Sequence, residues 1–190
     1  KITLNYFDIL LKPQQNLKAE VSFDVMNKDS SSLDQLYLTL YHEFSVQDIL
    51  VENEKVNFEQ SGDQVRVSLN RKLKPRDKIR LSFHYEGLES NLYFGNHQAL
   101  YLPDYFPWLP SPMNQPAFDL VTKQNSLHRI PHNLGQEKEY KLRIDSNQKI
   151  YTNLDQINQN QWSGTSSSGI SLMSGMLQDT KLTDFQLVYP

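Results

Sequence analysis

Apolar and polar residues alternate with a period of two along most of this chain. From Leu17 to Val25 the odd positions carry Leu, Ala, Val, Phe and Val, and the even ones Lys, Glu, Ser and Asp. Successive side chains of a strand point to opposite faces, so this spacing predicts a strand with one face on a core and one in water. Turn formers from Asn27 to Ser32 close it. The pattern returns at Leu36, Leu38 and Leu40, at Val65, Val67 and Leu69, at Ile79, Leu81, Phe83 and Tyr85, and at Tyr140, Leu142 and Ile144. Phe185 and Leu187 begin a last strand. Gly62, between two β-rich runs, predicts a hairpin, and Pro75 with Arg76 and Asp77 predicts another turn. No window sustains a 3.6-residue period, and no internal repeat is visible. The pattern predicts an all-β fold, an antiparallel β-sandwich or saddle-like sheet, formed as a single domain over residues 1–190.

One stretch breaks the alternation. Residues 96–134 hold six of the nine prolines, at 103, 107, 110, 112, 116 and 131, together with Tyr101, Tyr105, Phe106 and Trp108. Proline fixes φ and removes a ladder donor, so the run from Tyr101 to Pro112 is not a central strand. Its aromatic content is too high for a disordered linker. Strand patterns lie on both sides, which makes it a long Pro/aromatic connection within one domain. Tyr101, Asp104, Tyr105, Phe106 and Trp108 form the candidate interaction surface. Three roles stay open at this point: a plug at the end of the core, a surface for an adjacent domain, or a ligand site.

Composition narrows the chemistry. The chain has 190 residues, 38% of them hydrophobic, with a formal net charge of −3. That near-neutral balance argues against nucleic acid as a partner, since the phosphate backbone demands concentrated Lys and Arg. There is no cysteine, which excludes disulfides, thiol nucleophiles and thiolate-bound metals. No apolar run reaches the ~20 residues a membrane-spanning helix needs, so direct membrane insertion by this stretch is not expected. Asn, Gln and Ser are abundant, giving a wet, weakly charged surface.

Catalytic signatures are missing. Tyr41-His-Glu-Phe-Ser-Val46 begins like the zinc motif His-Glu-x-x-His, but Val46 stands at the second histidine. His42 itself is read as a sheet histidine. His128 and His132 have helical i, i+4 spacing, yet Pro131 between them would break a helix. With His97 they are read as loop histidines. Glu86 and Asp104 could act as an acid/base pair only if the fold brought them together. Residues 163–169, Ser-Gly-Thr-Ser-Ser-Ser-Gly, lack the lysine of a phosphate loop and are read as a flexible loop. No catalytic residue, cofactor or metal is therefore assigned.

Several blocks together resemble a known family. Leu17-x-Ala-x-Val-x-Phe-x-Val-x-Asn27, Leu36-x-Leu-x-Leu40 with Phe44-x-Val46-x-x-Ile49, and Ile79-x-Leu-x-Phe-x-Tyr85-Glu-Gly87 resemble, in order, the N-terminal β-domain of the aminopeptidase N family of zinc aminopeptidases. Tyr105-Phe-Pro-Trp-Leu-Pro110 and Gln115-Pro-Ala-Phe118 sit where those enzymes carry Phe-Pro-Cys-x-Asp-x-Pro and a following Pro-x-Phe. Tyr140-Lys-Leu-Arg-Ile144 and Gly169-Ile-Ser-Leu-Met-Ser-Gly175 resemble its late strands. The family's catalytic motifs, His-Glu-x-x-His and Gly-x-Met-Glu-Asn, have no counterpart here. The Phe-Pro-Trp-x-Pro form is more similar to aminopeptidase-like modules fused to bacterial ABC-type permeases. The resemblance implies a non-enzymatic β-domain on the extracytoplasmic face of a bacterial cell membrane, as part of a larger membrane protein. It would work by docking to an adjacent domain of the same polypeptide or by binding a peptide. A start at Lys1 and the lack of cysteine fit an excised loop of a Gram-positive surface protein. The competing expectation is a stand-alone carbohydrate-binding or adhesive cell-surface sandwich, using Tyr101, Tyr105 and Trp108.

Overall fold

In the computed structural model, residues 1–87, 93–104, 107–112, 118–121, 126–129, 137–181 and 186–189 are described. Among them every regular element is a strand, as the alternation predicts. The first eight are β1 (Ile2–Pro13), β2 (Leu17–Asn27), β3 (Leu33–Thr39), β4 (Phe44–Val51), β5 (Glu54–Lys55), β6 (Phe58–Ser61), β7 (Gln64–Leu73) and β8 (Lys78–Gly87). Short pieces follow: β9 (Phe94–Gly95), β10 (Leu100–Leu102), β11 (Ser111–Pro112), β12 (Phe118–Val121) and β13 (Ser126–Arg129). The last seven are β14 (Lys138–Ile144), β15 (Ile150–Thr152), β16 (Asp155–Asn158), β17 (Gln161–Ser166), β18 (Leu172–Ser174), β19 (Gln178–Lys181) and β20 (Gln186–Tyr189).

An eight-stranded sheet, in the order β16-β17-β14-β1-β2-β8-β4-β5, forms the main layer. Two four-stranded sheets accompany it, β11-β3-β7-β6 and β15-β18-β10-β9. Leu17, Ala19, Val21, Phe23 and Val25 of β2 all point inward, and Leu81 and Phe83 of β8 join them in one apolar cluster. Leu36, Leu38, Val65 and Val67 from the second sheet belong to the same cluster, so the two inner faces share a core. An aromatic file runs through it from strand to strand. Tyr140 stacks on Phe7 at 5.2 Å, Phe7 on Phe23 at 5.2 Å, and Phe23 meets Phe83 at 5.6 Å.

Among the described residues pairing is antiparallel except between β1 and β14, which run parallel with Phe7 opposite Tyr140 and Leu11 opposite Ile144. A parallel pair needs a long crossover connection. Here all the chain between these strands supplies it, so an early and a late segment lie side by side. Strand β1 itself escapes the alternation rule. Ile2 and Leu4 face inward on even positions, whereas Phe7, Ile9 and Leu11 do so on odd ones. The switch is a bulge between Asn5 and Asp8, where Tyr6 takes φ of 52°. One extra residue flips every later side chain to the other face. Arg80 holds the bulge by donating Nη1–H to the Tyr6 carbonyl at 2.7 Å.

Two further expectations are corrected. His42 lies in the turn before β4 rather than in a strand, because Asp63 accepts from its backbone N–H at 2.8 Å and pairs with its Nδ1 at 2.7 Å. Ser163 to Ser166 belong to β17 rather than to a flexible loop; Gly164 sits where a Cβ would come within 3.3 Å of Leu154. The predicted turns at Gly62 and at Arg76 both carry positive φ, 55° and 69°.

Candidate functional site

The Pro/aromatic connection is held to the core by hydrogen bonds that reach its backbone and its indole. The Trp108 ring is buried, 2% exposed, and its Nε1–H donates to the Ile170 carbonyl at 3.2 Å. The Trp108 carbonyl accepts from the Tyr85 hydroxyl at 2.7 Å, and the Pro107 carbonyl accepts from Tyr41 N–H at 2.8 Å. The Tyr85 and Tyr41 bonds satisfy two carbonyls of the strap, and the third satisfies the buried indole N–H. Burial of the Tyr85 phenol pushes its pKa upward, so it acts as a neutral donor. Below it, Gly87 lets Phe44 pass: a Cβ there would lie 2.5 Å from the Phe44 ring. Beyond Trp108 the chain forms β11, with Ser111 opposite Thr39 of β3.

A small, solvent-open cleft of about 70 Å³ lies between this strap, the start of β14 and the turn at Ser167–Ile170. Phe7, Pro107, Trp108, Pro110 and Tyr140 give it apolar walls, and Asp104, Lys138, Ser167 and Ser168 give it polar ones. Gly169 has φ of 102°, a conformation L side chains rarely adopt, and Asp104 packs against it. The Asp104 backbone N–H donates to Ser171 Oγ at 3.0 Å. Lys138 occupies an unusual place. On β14 the side chains of Tyr140, Leu142 and Ile144 turn into the core, and Glu139, Lys141 and Arg143 turn out. Lys138 shares the inward parity. Burial holds its ammonium below the ordinary 10.5, and likewise pushes the Tyr140 phenol up.

The predicted residues separate. Asp104 and Trp108 line the cleft, with Trp108 also serving as the plug of the core. Tyr101 lies on the outer face of the sheet β15-β18-β10-β9. There it stands opposite Phe94 and Met173, and Met173 stands opposite Tyr151. The Phe94 and Tyr101 rings stack with centroids 5.6 Å apart and 27° between planes. Leu100, Leu102 and Leu172 cover the inner face of the same sheet. Tyr105 and Phe106 lie outside the described residues. Glu86 and Asp104 have separate partners, since Glu86 accepts from Asn16 Nδ2 at 2.6 Å. His97 sits in the turn before β10, His128 in β13, and His132 outside the described residues. Among the described residues no three His, Asp or Glu side chains cluster as metal ligands, and no helix is long and apolar enough to cross a membrane. Sequence reasoning missed Lys138, Ser167 and Ser168. The signal for the lysine was its parity with Tyr140.

No family model matches this sequence, and no curated protein matches it. Among solved structures, the chain is similar to the M1 zinc metallopeptidase of Deinococcus radiodurans, with a TM-score of 0.57 at 15% identity, over 98% of this chain and 46% of that one. A mutant of a two-domain M1 zinc metallopeptidase bound to L-tryptophan gives a TM-score of 0.63 at 15% identity, over 98% and 46%. Leukotriene A4 hydrolase of Saccharomyces cerevisiae gives 0.59 at 12% identity, over 95% and 30%. The chain spans less than half the length of each of these proteins. At these identities the likeness is one of fold.

Proposed function

We propose that this chain is a non-catalytic β-domain of an aminopeptidase-like membrane protein, of the kind fused to bacterial ABC-type permeases. It acts on the extracytoplasmic side by docking against an adjacent domain of the same polypeptide or by binding a peptide. The observation that carries this reading is the asymmetry of coverage. Almost the whole chain is used in the match, against less than half of each peptidase. A module of that kind serves the rest of its protein as a support or a wall. The resemblance in sequence, from Leu17 to Gly175, points to the same module, and among the described residues no metal-binding cluster is formed.

The Pro/aromatic end is the working surface in this reading. Its strap is fixed to the core by Tyr85, Tyr41 and Ile170, so it presents a preformed cleft and loses little entropy on binding. The outer face with Phe94, Tyr101, Met173 and Tyr151 adds aromatic and thioether surface, the composition enriched at protein interfaces. A carbohydrate platform has less support, since one face of the Tyr101 ring is covered by Phe94 and the Trp108 indole is interior. Lysine-directed cross-linking of the full reading frame in bacterial membranes tests the docking. Links from Lys138 or Lys149 to another segment of the same polypeptide support it. Links confined to residues 1–190 contradict it.

A further inference from the structure

We propose that the cleft beside Trp108 is a peptide-binding site in which Lys138 pairs with a carboxylate of the ligand. The inference deepens the reading of this end as a binding surface, and rests on that reading rather than on any tie to a peptidase or a membrane. Three observations meet in it. Lys138 lies at the inward-facing position of β14, in line with Tyr140, Leu142 and Ile144, where an apolar side chain would complete the core face. Lys138 lines the cleft, and the described residues show no carboxylate within ion-pair distance of it. The remaining walls are Phe7, Trp108, Tyr140 and prolines, with the hydroxyl groups of Ser167 and Ser168 on the facing turn.

A half-buried cation with no counter-ion among the described residues is costly to the folded state, and the lowered proton affinity of Lys138 is the mark of that cost. A ligand that brings one negative charge removes it. One lysine among apolar walls, with Asp104 also on the cleft, matches a singly charged carboxylate better than a doubly charged phosphate. The aromatic and proline walls suit an apolar side chain next to that carboxylate. Both a peptide C-terminus and an acidic side chain supply this chemistry.

The test uses the chain itself with three probes at millimolar concentration, followed through the lysine side-chain signals in NMR. The probes are acetyl-Ala-Pro-Phe with a free carboxylate, its C-terminal amide, and acetyl-Ala-Glu-Phe-amide. The proposal expects the free acid, the glutamyl peptide or both to shift the Lys138 signals, and the uncharged amide to bind about tenfold more weakly or worse. The free acid alone assigns the carboxylate to a chain terminus, and the glutamyl peptide alone to an acidic side chain. Lys138→Met should abolish the difference between charged and uncharged probes, and Lys138→Arg should keep it. Lys141→Met, on the outward face of the same strand, should change nothing. Backbone spectra of each variant show that it is folded. Equal binding of acid and amide, or no binding of any probe, overturns the proposal. Docking of an adjacent domain would survive that result, because the cross-linking reads it separately.

Discussion

The centre of the main sheet and its Pro/aromatic end solve the same problem by different means. In the centre, β2 and β8 pair over ten consecutive residue pairs, from Leu17 with Gly87 to Met26 with Lys78. Backbone satisfies backbone there, and side chains only have to be apolar on one face. At the end, prolines at 103, 107, 110 and 112 remove ladder donors, so side chains take over. Tyr85 and Trp108 lend their polar atoms to carbonyls, and the fold there depends on particular residues rather than on a pattern. The centre asks mainly for the right periodicity, with Gly87 an exception where any side chain would meet Phe44. The end also keeps a cleft and an inward lysine, features that a region devoted to stability would lose.

Substitutions can break this contrast. The largest effect belongs to Trp108→Ala, which removes a buried indole and its bond to Ile170; a urea melt should show a loss of about 3–5 kcal/mol. A midpoint equal to the parent's would mean that the end is not part of the core. Tyr85→Phe keeps the ring and orphans the Trp108 carbonyl, for a loss of about 1–3 kcal/mol in the same measurement.

That variant also carries a pH signature. Burial raises the folded-state pKa of Tyr85, so its contribution is intact below the ordinary value of 10.0 and falls as pH rises above it. The parent should therefore lose stability in alkali faster than Tyr85→Phe. Lys138 has the opposite sign. Its folded pKa lies below 10.5, so the stability withheld by this group returns as pH climbs toward that value.

Lys138→Met should accordingly leave stability at neutral pH unchanged or raise it by up to about 2 kcal/mol, as cavity-compatible apolar replacements of unpaired charge do. A loss of stability would show the lysine to be a structural residue. The smallest effect is expected in the centre. Asp24→Asn breaks the partly exposed pair with Arg80 and should cost about 0.2–1 kcal/mol, less at high salt.

The centre was legible in the sequence for a plain reason. Period-two alternation is the direct imprint of a half-buried strand, and β2, β3, β7, β8 and β14 all carry it. Strand β1 was hidden because the bulge at Tyr6 changes the parity halfway, and each half alone is too short to stand out. β17 was hidden because Gly164 and its serines look like a loop until Leu154 is seen packing against the glycine. Of the candidate site, the proline run marked the place, and Asp104 and Trp108 do share the cleft there. Tyr101 was grouped with them by closeness in sequence, yet β10 turns it onto another face. Lys138 was out of reach as a site residue because its neighbours in space, Trp108 and Ser168, are far from it in sequence or across a turn. Only the β1–β14 pairing and the strap bring them together.

Hydrogen–deuterium exchange tests the central claim most directly, comparing residues 1–190 alone with the polypeptide encoded by the full reading frame. If the Pro/aromatic end is the docking surface, amides at 100–112, 138–140 and 167–174 should exchange more slowly in the full polypeptide. Those of β2 and β8 should be unchanged. Identical exchange at both regions, or slowing confined to the centre of the main sheet, would contradict it.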